Sequence, residues 1–453
     1  TKVIVPMIKE GIFAGALLAF TMSFDDFVIS YFVTGQGVKN LSIMVYTMSK
    51  RINPSVNAIS TLVVLLITIT LTIVNVLPMI RKKTSPSKQN KPWKWAVAGV
   101  VVVGLVASLF GLNKSAGSQP YAGQTLHVYN WGEYTGENII SGFEELTGAK
   151  VIMDNFDSNE QMYIKVANGD AYDVLVPSDY MIERMMQEKM LQKLEPETRK
   201  ECLGELVDAI KGLPYDPKNE YSIPYFWGTV GIVYDKRKVS EEDLEKDGWD
   251  IFLDQKFKGD IYLYDSERDS FMMALKALGY SMNTTSQDEL NAAYNWLIQC
   301  VQTMDPEIVT DEIIDNMAQA RKALGVIYSG DAAYVMSENE NMGFYMPKSG
   351  TNLWSDAMVI PKNAKNPKLA NEFIRYITSY DAAMDNSSYV GYTSPNKEVM
   401  EELGGKGGDY DGINAYTPRA GYDKDEVFQY DETTRKIIAD LWSRVKVSAS
   451  NAH

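Results

Sequence analysis

Two uncharged apolar stretches near the N-terminus constrain this chain more than any other feature. Residues 59–77 (ISTLVVLLITITLTIVNVL) and 95–112 (WAVAGVVVVGLVASLFGL) contain no charged side chain. At about 1.5 Å per residue, helices of this length cross the hydrocarbon core of a bilayer. Residues 11–33 are a third candidate, although Asp25 and Asp26 interrupt them and indicate a helix end or a face turned toward a polar pathway. The sequence therefore predicts three transmembrane helices in its N-terminal part.

The segment between the last two stretches predicts their orientation. Residues 81–94 (RKKTSPSKQNKPWK) contain several Lys and Arg and no acid, so this loop is expected in the cytoplasm. The chain that follows is then extracytoplasmic and tethered by an anchor helix over residues 95–112 and a linker over residues 113–123. A signal peptide over residues 91–118 is the alternative, but its internal position and its length favour an uncleaved anchor.

Charge divides the chain close to the same place. Residues 1–119 contain 12 Lys and Arg against 3 acids, whereas residues 120–453 contain 32 against 56, a formal net charge of −24. So acidic a domain argues against nucleic acid as a partner and suits a cationic ligand. Acidity also commonly serves solubility alone, so charge by itself selects no function.

Cysteine and histidine give little support to a metal site or to histidine catalysis. The cysteines, Cys202 and Cys300, lie far apart in the sequence, and the histidines are His127 and the terminal His453. This spacing fits no zinc motif, so the sequence predicts no metal, no cofactor and no catalytic residue. It leaves open whether the cysteines form a disulfide or are buried free thiols.

From residue 125 onward, short strand-like runs alternate with amphipathic helical runs, which is typical of an α/β fold. About 330 residues of this pattern exceed what a single sheet usually takes, so two α/β lobes are expected. The first runs are predicted as strands over residues 126–130, 150–156 and 172–178, and as helices over residues 136–148, 159–169 and 180–194.

Aromatic, acidic and hydroxyl residues follow the predicted strands, at the carboxyl edge where ligands of α/β sheets bind. Each also has a structural explanation, such as helix packing for Tyr180 or helix capping for Asp179. Their repeated coincidence at strand ends favours a binding site. The residues at these ends are Trp131, Tyr134, Ser178, Asp179, Tyr180, Asp265, Ser266, Glu267, Asp269, Tyr328, Asp331, Trp354 and Asp356.

Aromatic faces together with carboxylates describe a site for a cation. An ammonium over Trp or Tyr gains roughly 0.5–2 kcal/mol, and a carboxylate adds a charge-assisted hydrogen bond. Aromatic rings also flank a methylene chain well. The ligand that this chemistry favours is an extended aliphatic polycation.

Several motifs, in order along the chain, resemble the spermidine/putrescine-binding protein of polyamine ABC importers. They are VYNWGEY, SNEQMYIKVANGDAYDVLVPSDYMIERM, YSIPYFWGTVGIVYD, WSDAMVIPKNAKNP and VGYTSPN. The resemblance implies a two-lobed, type II periplasmic-binding-protein-like fold over residues 124–453, with the polyamine in the cleft between the lobes. The implied lobes are residues 124–232 with 355–400 and residues 233–354 with 401–453.

The matching motifs also imply which residues hold the ligand. Asp356 would pair with an inner or secondary amine, and Asp269 with a terminal amine. Thr310 and Gln429 are matched less closely, because their surroundings, EIVTDE and EVFQYDE, agree less well with the family. The implied ligand-binding residues are Trp131, Tyr134, Ser178, Asp179, Tyr180, Ser266, Asp269, Thr310, Tyr328, Asp331, Trp354, Asp356, Tyr392 and Gln429.

This sequence departs from the family pattern at positions that bear on ligand choice. Relatives that bind spermidine carry two acids in the turn of residues 265–269, and the first of them falls on Ser266. Tyr328 stands where those relatives have tryptophan, and Asp331 resembles an acid of putrescine-preferring relatives. Three acids that face the ligand would suit the three ammonium groups of spermidine, so spermidine is expected slightly ahead of putrescine.

The apolar N-terminal part carries a second resemblance. Residues 3–47 (VIVPMIKEGIFAGALLAFTMSFDDFVISYFVTGQGVKNLSIMVYT) are similar to the C-terminal end of the permease of polyamine importers, and SFDDFVISYF is the most distinctive run. The resemblance implies the last part of a permease over residues 1–80, with two transmembrane helices and with the body of its coupling motif upstream of residue 1.

The sequence thus predicts a polyamine permease C-terminus fused to its own extracytoplasmic binding domain, as a multi-pass protein of the cell membrane. Its implied partners are a polyamine, a companion permease subunit and a separate ABC ATPase, since the chain shows no Walker-type phosphate loop. A membrane-anchored polyamine sensor that does not transport is the alternative. An enzyme such as a glycosidase is least favoured, because no spaced acid pair stands apart from the cation site.

Overall fold

The computed structural model describes residues 119–450 of the chain. The predicted permease part, cytoplasmic loop and anchor helix, and most of the linker, lie outside the described residues. Within residues 119–450, none of the helices combines the length and the apolar character needed to cross a membrane.

Strands and helices alternate through the described residues, as the sequence predicts for an α/β fold. The strands are β1 (Thr125–Trp131), β2 (Lys150–Phe156), β3 (Val174–Leu175), β4 (Leu191–Gln192), β5 (Ser222–Asp235), β6 (Ile261–Tyr264), β7 (Glu307–Val309), β8 (Leu324–Tyr328), β9 (Met342–Tyr345) and β10 (Leu353–Pro361).

The α-helices that lie between and after these strands vary from a single turn or two to five turns. They are α1 (Ile139–Thr147), α2 (Asn159–Ala167), α3 (Asp179–Gln187), α4 (Pro196–Glu205), α5 (Glu241–Asp247), α6 (Glu267–Ala277), α7 (Gln287–Met304), α8 (Glu312–Ala318), α9 (Ser329–Glu338), α10 (Pro367–Thr378), α11 (Tyr380–Val390), α12 (Lys397–Gly404) and α13 (Glu432–Ser450).

The strands form a mixed sheet in the order β2-β1-β3-β10-β5-β8-β6-β7, with β4 beside β10 and β9 beside β5. β1 pairs in parallel with β2 and β3, and β6 pairs in parallel with β7 and β8. β10 and β5 run antiparallel to their neighbours. Two parallel groups of strands therefore lie on either side of an antiparallel centre.

Strand β5 connects these two groups. All 14 of its residues are buried, and it pairs with β10 up to Thr229 and with β8 from Val230 onward. We call β1 to β4 and β10, with helices α1 to α4, the first half, and β6 to β9, with helices α5 to α9, the second half. This architecture is a two-lobed α/β fold, and the lobe boundaries implied by the sequence motifs stay a prediction.

The predicted helix over residues 180–194 is wrong beyond residue 187. Helix α3 ends at Gln187, and Lys189 then adopts a left-handed φ of 57°. Leu191–Gln192 instead form β4 and pair with β10. The apolar residues of this run keep a helical spacing, but pairing with β10 overrides that local preference.

Each half has its own apolar core. In the first half, Phe156 of β2, Met185 of α3 and Ala357 of β10 belong to one buried cluster. In the second half, Ile327 of β8 and Phe344 of β9 belong to another. Two separate cores give each half a rigid base for the side chains at its strand ends.

The two cysteines are free and buried. Burial raises the pKa of the Cys202 thiol to about 11 and that of the Cys300 thiol to about 12. Both side chains therefore serve as small apolar groups of the core, which answers the question that their spacing left open.

Candidate functional site

The turns that follow β3, β6 and β8 hold several of the residues that the sequence singles out. Ser178 precedes α3, Ser266 precedes α6 and Tyr328 precedes α9, and all three have extended backbone conformations. The Ser266 hydroxyl caps α6 by accepting a hydrogen bond from the backbone N–H of Asp269. A helix start offers unpaired N–H groups and the positive end of the helix dipole, so these turns suit carboxylates.

Five aromatic side chains make a continuous series of ring contacts, which we call the aromatic row. In order they are Tyr134, Tyr392, Trp354, Tyr328 and Tyr264. Neighbouring ring centroids lie 5.5, 5.4, 6.1 and 5.3 Å apart, and every contact is edge to face. Because Tyr134 and Trp354 belong to the first half and Tyr328 and Tyr264 to the second, the row crosses from one half to the other.

Two glycines make room for the row. A Cβ atom on Gly228 would lie 2.7 Å from the indole ring of Trp354, and a Cβ atom on Gly330 would overlap the ring of Tyr392. Close approach of a ring to the backbone is a role that only glycine fills. These glycines therefore allow the rings of Trp354 and Tyr392 to lie against the backbone.

Asp356 lies buried near the Tyr134 end of the row. Its carboxylate accepts a hydrogen bond of 2.9 Å from the Tyr134 hydroxyl, and the Ser178 hydroxyl lies beside it and lowers its pKa. Asn159 supports Ser178, since its side-chain amide donates to Ser178 Oγ over 3.0 Å and accepts from the Ser178 backbone N–H over 3.0 Å. Two hydroxyl groups thus face this carboxylate.

Asp179 places a second carboxyl group beside Asp356. It is 1% exposed and accepts hydrogen bonds of 2.6 and 3.4 Å from the backbone N–H groups of Tyr180 and Ser355. Burial, together with the charge of Asp356, raises the pKa of Asp179 to about 8. Burial also raises the pKa of Asp356 to about 6, although its hydroxyl neighbours lower it. The two neighbouring carboxyl groups thus both resist ionisation.

Asp269 is the corresponding acid of the second half. Its carboxylate accepts hydrogen bonds of 2.7 Å from both the Tyr328 and the Ser266 hydroxyls, and the Asn352 amide lies 3.4 Å from its other oxygen. Asp269 is 4% exposed. Asp269 and Asp356 thus share one pattern, in which a tyrosine of the row donates to a buried carboxylate and a serine hydroxyl lies beside it.

The other two tyrosines of the row also bind carboxylates. Tyr392 hydrogen-bonds to Asp331, and the Tyr264 hydroxyl donates to Asp311 over 3.0 Å. Burial, and then the neighbouring carboxylates, raise the pKa of both phenols well above its ordinary value. These hydroxyls therefore stay protonated and donate. Asp331 is buried and Asp311 is exposed, so the row runs from buried acids toward the surface.

The ring of Tyr180 is covered by a cation of the chain itself. The Arg268 guanidinium carbon lies 3.4 Å from the ring centroid, and Arg268 Nη2 donates to Glu160 Oε1 over 3.1 Å. The Tyr180 hydroxyl accepts a hydrogen bond of 2.9 Å from the Asn159 amide. The sequence predicts Tyr180 as a ligand contact. In the structure Arg268 covers a face of this ring, and the ligand contact stays a prediction.

Three further predicted ligand-binding residues have their observed partners outside the row. Trp131 packs on Phe156, with ring centroids 4.5 Å apart. Thr310 is exposed, and its hydroxyl donates to Glu312 over 2.8 Å. Gln429 is exposed as well. Their roles in ligand binding stay predictions.

Sequence reasoning missed several residues of this site. Tyr264 and Asp311 form the surface end of the row, Asn159 supports Ser178, and Arg268 covers Tyr180. Tyr264 ends the run IYLY, so its position at a strand exit was a usable signal. Asn159 and Arg268 contact their partners through tertiary structure, which no local sequence pattern predicts.

The arrangement is chemically suited to hold cations. Buried carboxylates bound by neutral hydroxyls keep their negative charge uncompensated, and the aromatic rings beside them supply faces for ammonium and methylene groups. Among the described residues, no three His, Cys, Asp or Glu side chains are grouped as metal ligands would be. The cation that fits is an organic one with an apolar body.

Comparison with known proteins agrees with this chemistry. The family of bacterial extracellular solute-binding proteins matches residues 138–406. The spermidine/putrescine-binding periplasmic protein of Escherichia coli strain K12 is 34% identical over 281 residues, which are 62% of this chain and 80% of that protein. The putrescine-binding periplasmic protein of the same strain is 28% identical over 324 residues, which are 68% of this chain and 85% of that protein.

Solved structures show the same relationship. The substrate-binding protein of a spermidine/putrescine ABC transporter from Streptococcus pneumoniae is 33% identical, and the match covers 72% of this chain and 99% of that one with a TM-score of 0.60. The described domain therefore has a two-lobed periplasmic-binding-protein-like fold. This chain belongs to the bacterial extracellular solute-binding proteins, in the family of the spermidine/putrescine-binding periplasmic proteins.

Proposed function

We propose that the domain of residues 119–450 binds a polyamine, spermidine or putrescine, along the aromatic row. The observation that carries this proposal is the repeated unit of the row, in which each tyrosine donates to a separate carboxylate. Spaced carboxylates match spaced ammonium groups, and the rings between them match the methylene chain. The names of the relatives support the same ligand class.

The energetics of the acids favour a ligand with several charges. Asp269, Asp331 and Asp356 are each at most 8% exposed. A buried carboxylate without a cationic partner costs several kcal/mol unless it takes up a proton. A ligand with one charge would satisfy one of these acids and leave the others, so a di- or triamine gains more from the same site.

Spermidine is placed slightly ahead of putrescine on this count. Three buried acids correspond to the three ammonium groups of spermidine, whereas putrescine has two. Asp331 and Ser266 favour putrescine instead, because they depart from the pattern of spermidine-binding relatives. The choice is therefore decided by whether Asp331 contacts the ligand.

Calorimetric titration of residues 119–453 tests the proposal. This part corresponds to nearly the whole length of the pneumococcal protein, so we expect it to fold alone. Spermidine and putrescine should bind at micromolar concentration or below, and a neutral sugar should not bind. Absence of binding by both amines would contradict the proposed function. Tighter binding of putrescine that Asp331→Asn removes would show that Asp331 holds a terminal amine.

We also propose that the domain delivers its ligand to a permease encoded in the same chain. The apolar stretches of residues 59–77 and 95–112 and the permease-like motif support this arrangement. A separate ABC ATPase and a companion permease subunit would complete the importer. Ligand-stimulated ATP hydrolysis in proteoliposomes that contain these subunits tests it, whereas ligand binding without ATPase stimulation would favour the polyamine sensor.

The proposed topology has its own test. A membrane-impermeant thiol reagent should label a cysteine placed at Ser118 in intact cells and one placed at Ser87 only after permeabilisation. Equal labelling of both positions would contradict three membrane spans. The two native cysteines lie buried and give little background.

A further inference from the structure

Arg268 lies where the two halves of the site meet. It stands in the first turn of α6, in the second half, and contacts Glu160 of α2 and Tyr180 of α3, which belong to the first half. The helix dipole opposes a cation in the first turn of a helix. The partners across the site, rather than its own helix, therefore hold the guanidinium in place.

A path of contacts leads from Arg268 to the Asp356 carboxylate. The Tyr180 hydroxyl accepts from the Asn159 amide over 2.9 Å, and the same amide donates to Ser178 Oγ over 3.0 Å. Ser178 in turn lies beside Asp356, since the two residues form an antiparallel bridge. The Arg268 guanidinium thus contacts the first of a series of side chains that ends at Asp356.

Arg268 is linked to the other acid, Asp269, through the backbone. Arg268 directly precedes Asp269, and both lie in the first turn of α6. The backbone of a helical turn is stiff, so a shift of Arg268 carries Asp269 with it. Arg268 consequently connects the acid of the second half to the acid of the first.

We propose that Arg268 is a positioning residue that sets the separation of the Asp356 and Asp269 carboxylates, and thereby the length of amine that the site prefers. This inference rests on the proposed function and adds a length preference to the same site. A fixed separation penalises a diamine that is one methylene too short or too long, because one ammonium then misses its carboxylate.

The test compares a homologous series of diamines, namely trimethylenediamine, putrescine and cadaverine, by calorimetric titration of the domain. Wild-type protein should prefer one member by about tenfold over its neighbours. Arg268→Gln should reduce this ratio to about threefold or less, because α6 is no longer fixed against the first half. Arg268→Lys keeps the charge for Glu160 but not the flat stack on Tyr180, so an intermediate ratio is expected.

Arg237→Gln is the matched control. Arg237 also pairs with an acid, Asp235 at the end of β5, over 2.7 Å, and this acid is not a residue of the row. This variant should keep the wild-type ratio. Thermal unfolding of both glutamine variants shows whether each remains folded at the temperature of the titration.

Three results would contradict the inference. If Arg268→Gln weakens all three diamines by one common factor, or changes nothing, Arg268 sets no length. If wild-type protein binds amines without a length preference, the inference fails while the proposed function stands. If wild-type protein binds no amine, the proposed function fails and the inference with it, so the two failures are distinguishable.

Discussion

Asp356 and Asp269 have similar hydroxyl neighbours and different surroundings. Each accepts a hydrogen bond from one tyrosine of the aromatic row and has one serine hydroxyl beside it. Asp356 lies in a strand beside the carboxyl group of Asp179, whereas Asp269 lies in the first turn of a helix. One acid therefore has a like charge as its neighbour, and the other lies at a helix start.

The comparison separates the hydroxyl neighbours of an acid from the surroundings that set its ionisation. The tyrosine and serine hydroxyls are common to both acids. Burial raises the pKa of Asp356, so this acid carries its charge less readily than an exposed aspartate does. We expect both ends of the site to respond alike to loss of an acid, and we expect the Asp356 end to respond to pH.

Removal of either acid should have the largest effect. Asp356→Asn and Asp269→Asn should each weaken spermidine binding about ten- to a hundredfold, because a charged hydrogen bond in a buried site is lost. Calorimetric titration at pH 7 measures the effect. Asp260→Asn is the control, since Asp260 pairs with Lys238 at the surface. Near-native affinity of either site variant would remove that acid from the site.

Loss of the central ring should come next. Trp354→Ala should weaken binding about tenfold, because a cation–π contact and part of the wall along the methylene chain are lost. Trp354→Phe should recover part of the affinity, since it keeps a smaller ring in contact with Tyr328 and Tyr392. If Trp354→Phe binds as weakly as Trp354→Ala, the indole acts through shape or its N–H group rather than as an aromatic face.

The pH dependence should report on the Asp356 end of the site. The raised pKa of Asp356, about 6, means that this acid takes up a proton below that pH and can no longer pair with an ammonium. Affinity should therefore fall by up to about tenfold per pH unit below 6. Titrations at constant ionic strength measure this fall. In Asp356→Asn the fall should be much smaller, and a full fall in that variant would assign the titration to another group.

The smallest effects should come from the tyrosine hydroxyls. Tyr134→Phe and Tyr328→Phe each remove one donor to a carboxylate but keep the ring, so affinity should drop about two- to tenfold in each. The two values should be similar if orientation is the common task of the hydroxyl pairs. A large loss in one variant and none in the other would show that the two acids do not follow one pattern.

Local pattern predicts the α/β alternation, which the structure confirms, and it identifies residues beside the ends of strands. Tyr328 ends β8, and Asp331 and Asp269 lie in the helices that follow β8 and β6, whereas Trp354 and Asp356 lie within β10. The contact of these residues with a ligand stays a prediction. The sequence could not show that each acid meets a particular tyrosine, because Tyr134 and Asp356 are 222 positions apart. Pairings of that kind depend on how β5 and β10 bring the two halves together.

Two other residues show what local patterns leave out. Tyr180 follows a strand, and the Arg268 guanidinium lies over its ring, so its contact with a ligand stays a prediction. Lys189 interrupts a run with helical spacing, because the chain turns there to pair with β10. In both places the observed partner is distant in sequence.

The buried thiols have a consequence for where such a domain can work. Extracytoplasmic surroundings oxidise reactive cysteines, and only the thiolate form reacts readily. With both thiols held protonated inside the core, the folded domain offers oxidants no reactive thiolate and depends on no cross-link for its shape. Once folded, it should therefore keep both thiols unmodified under reducing and oxidising conditions alike.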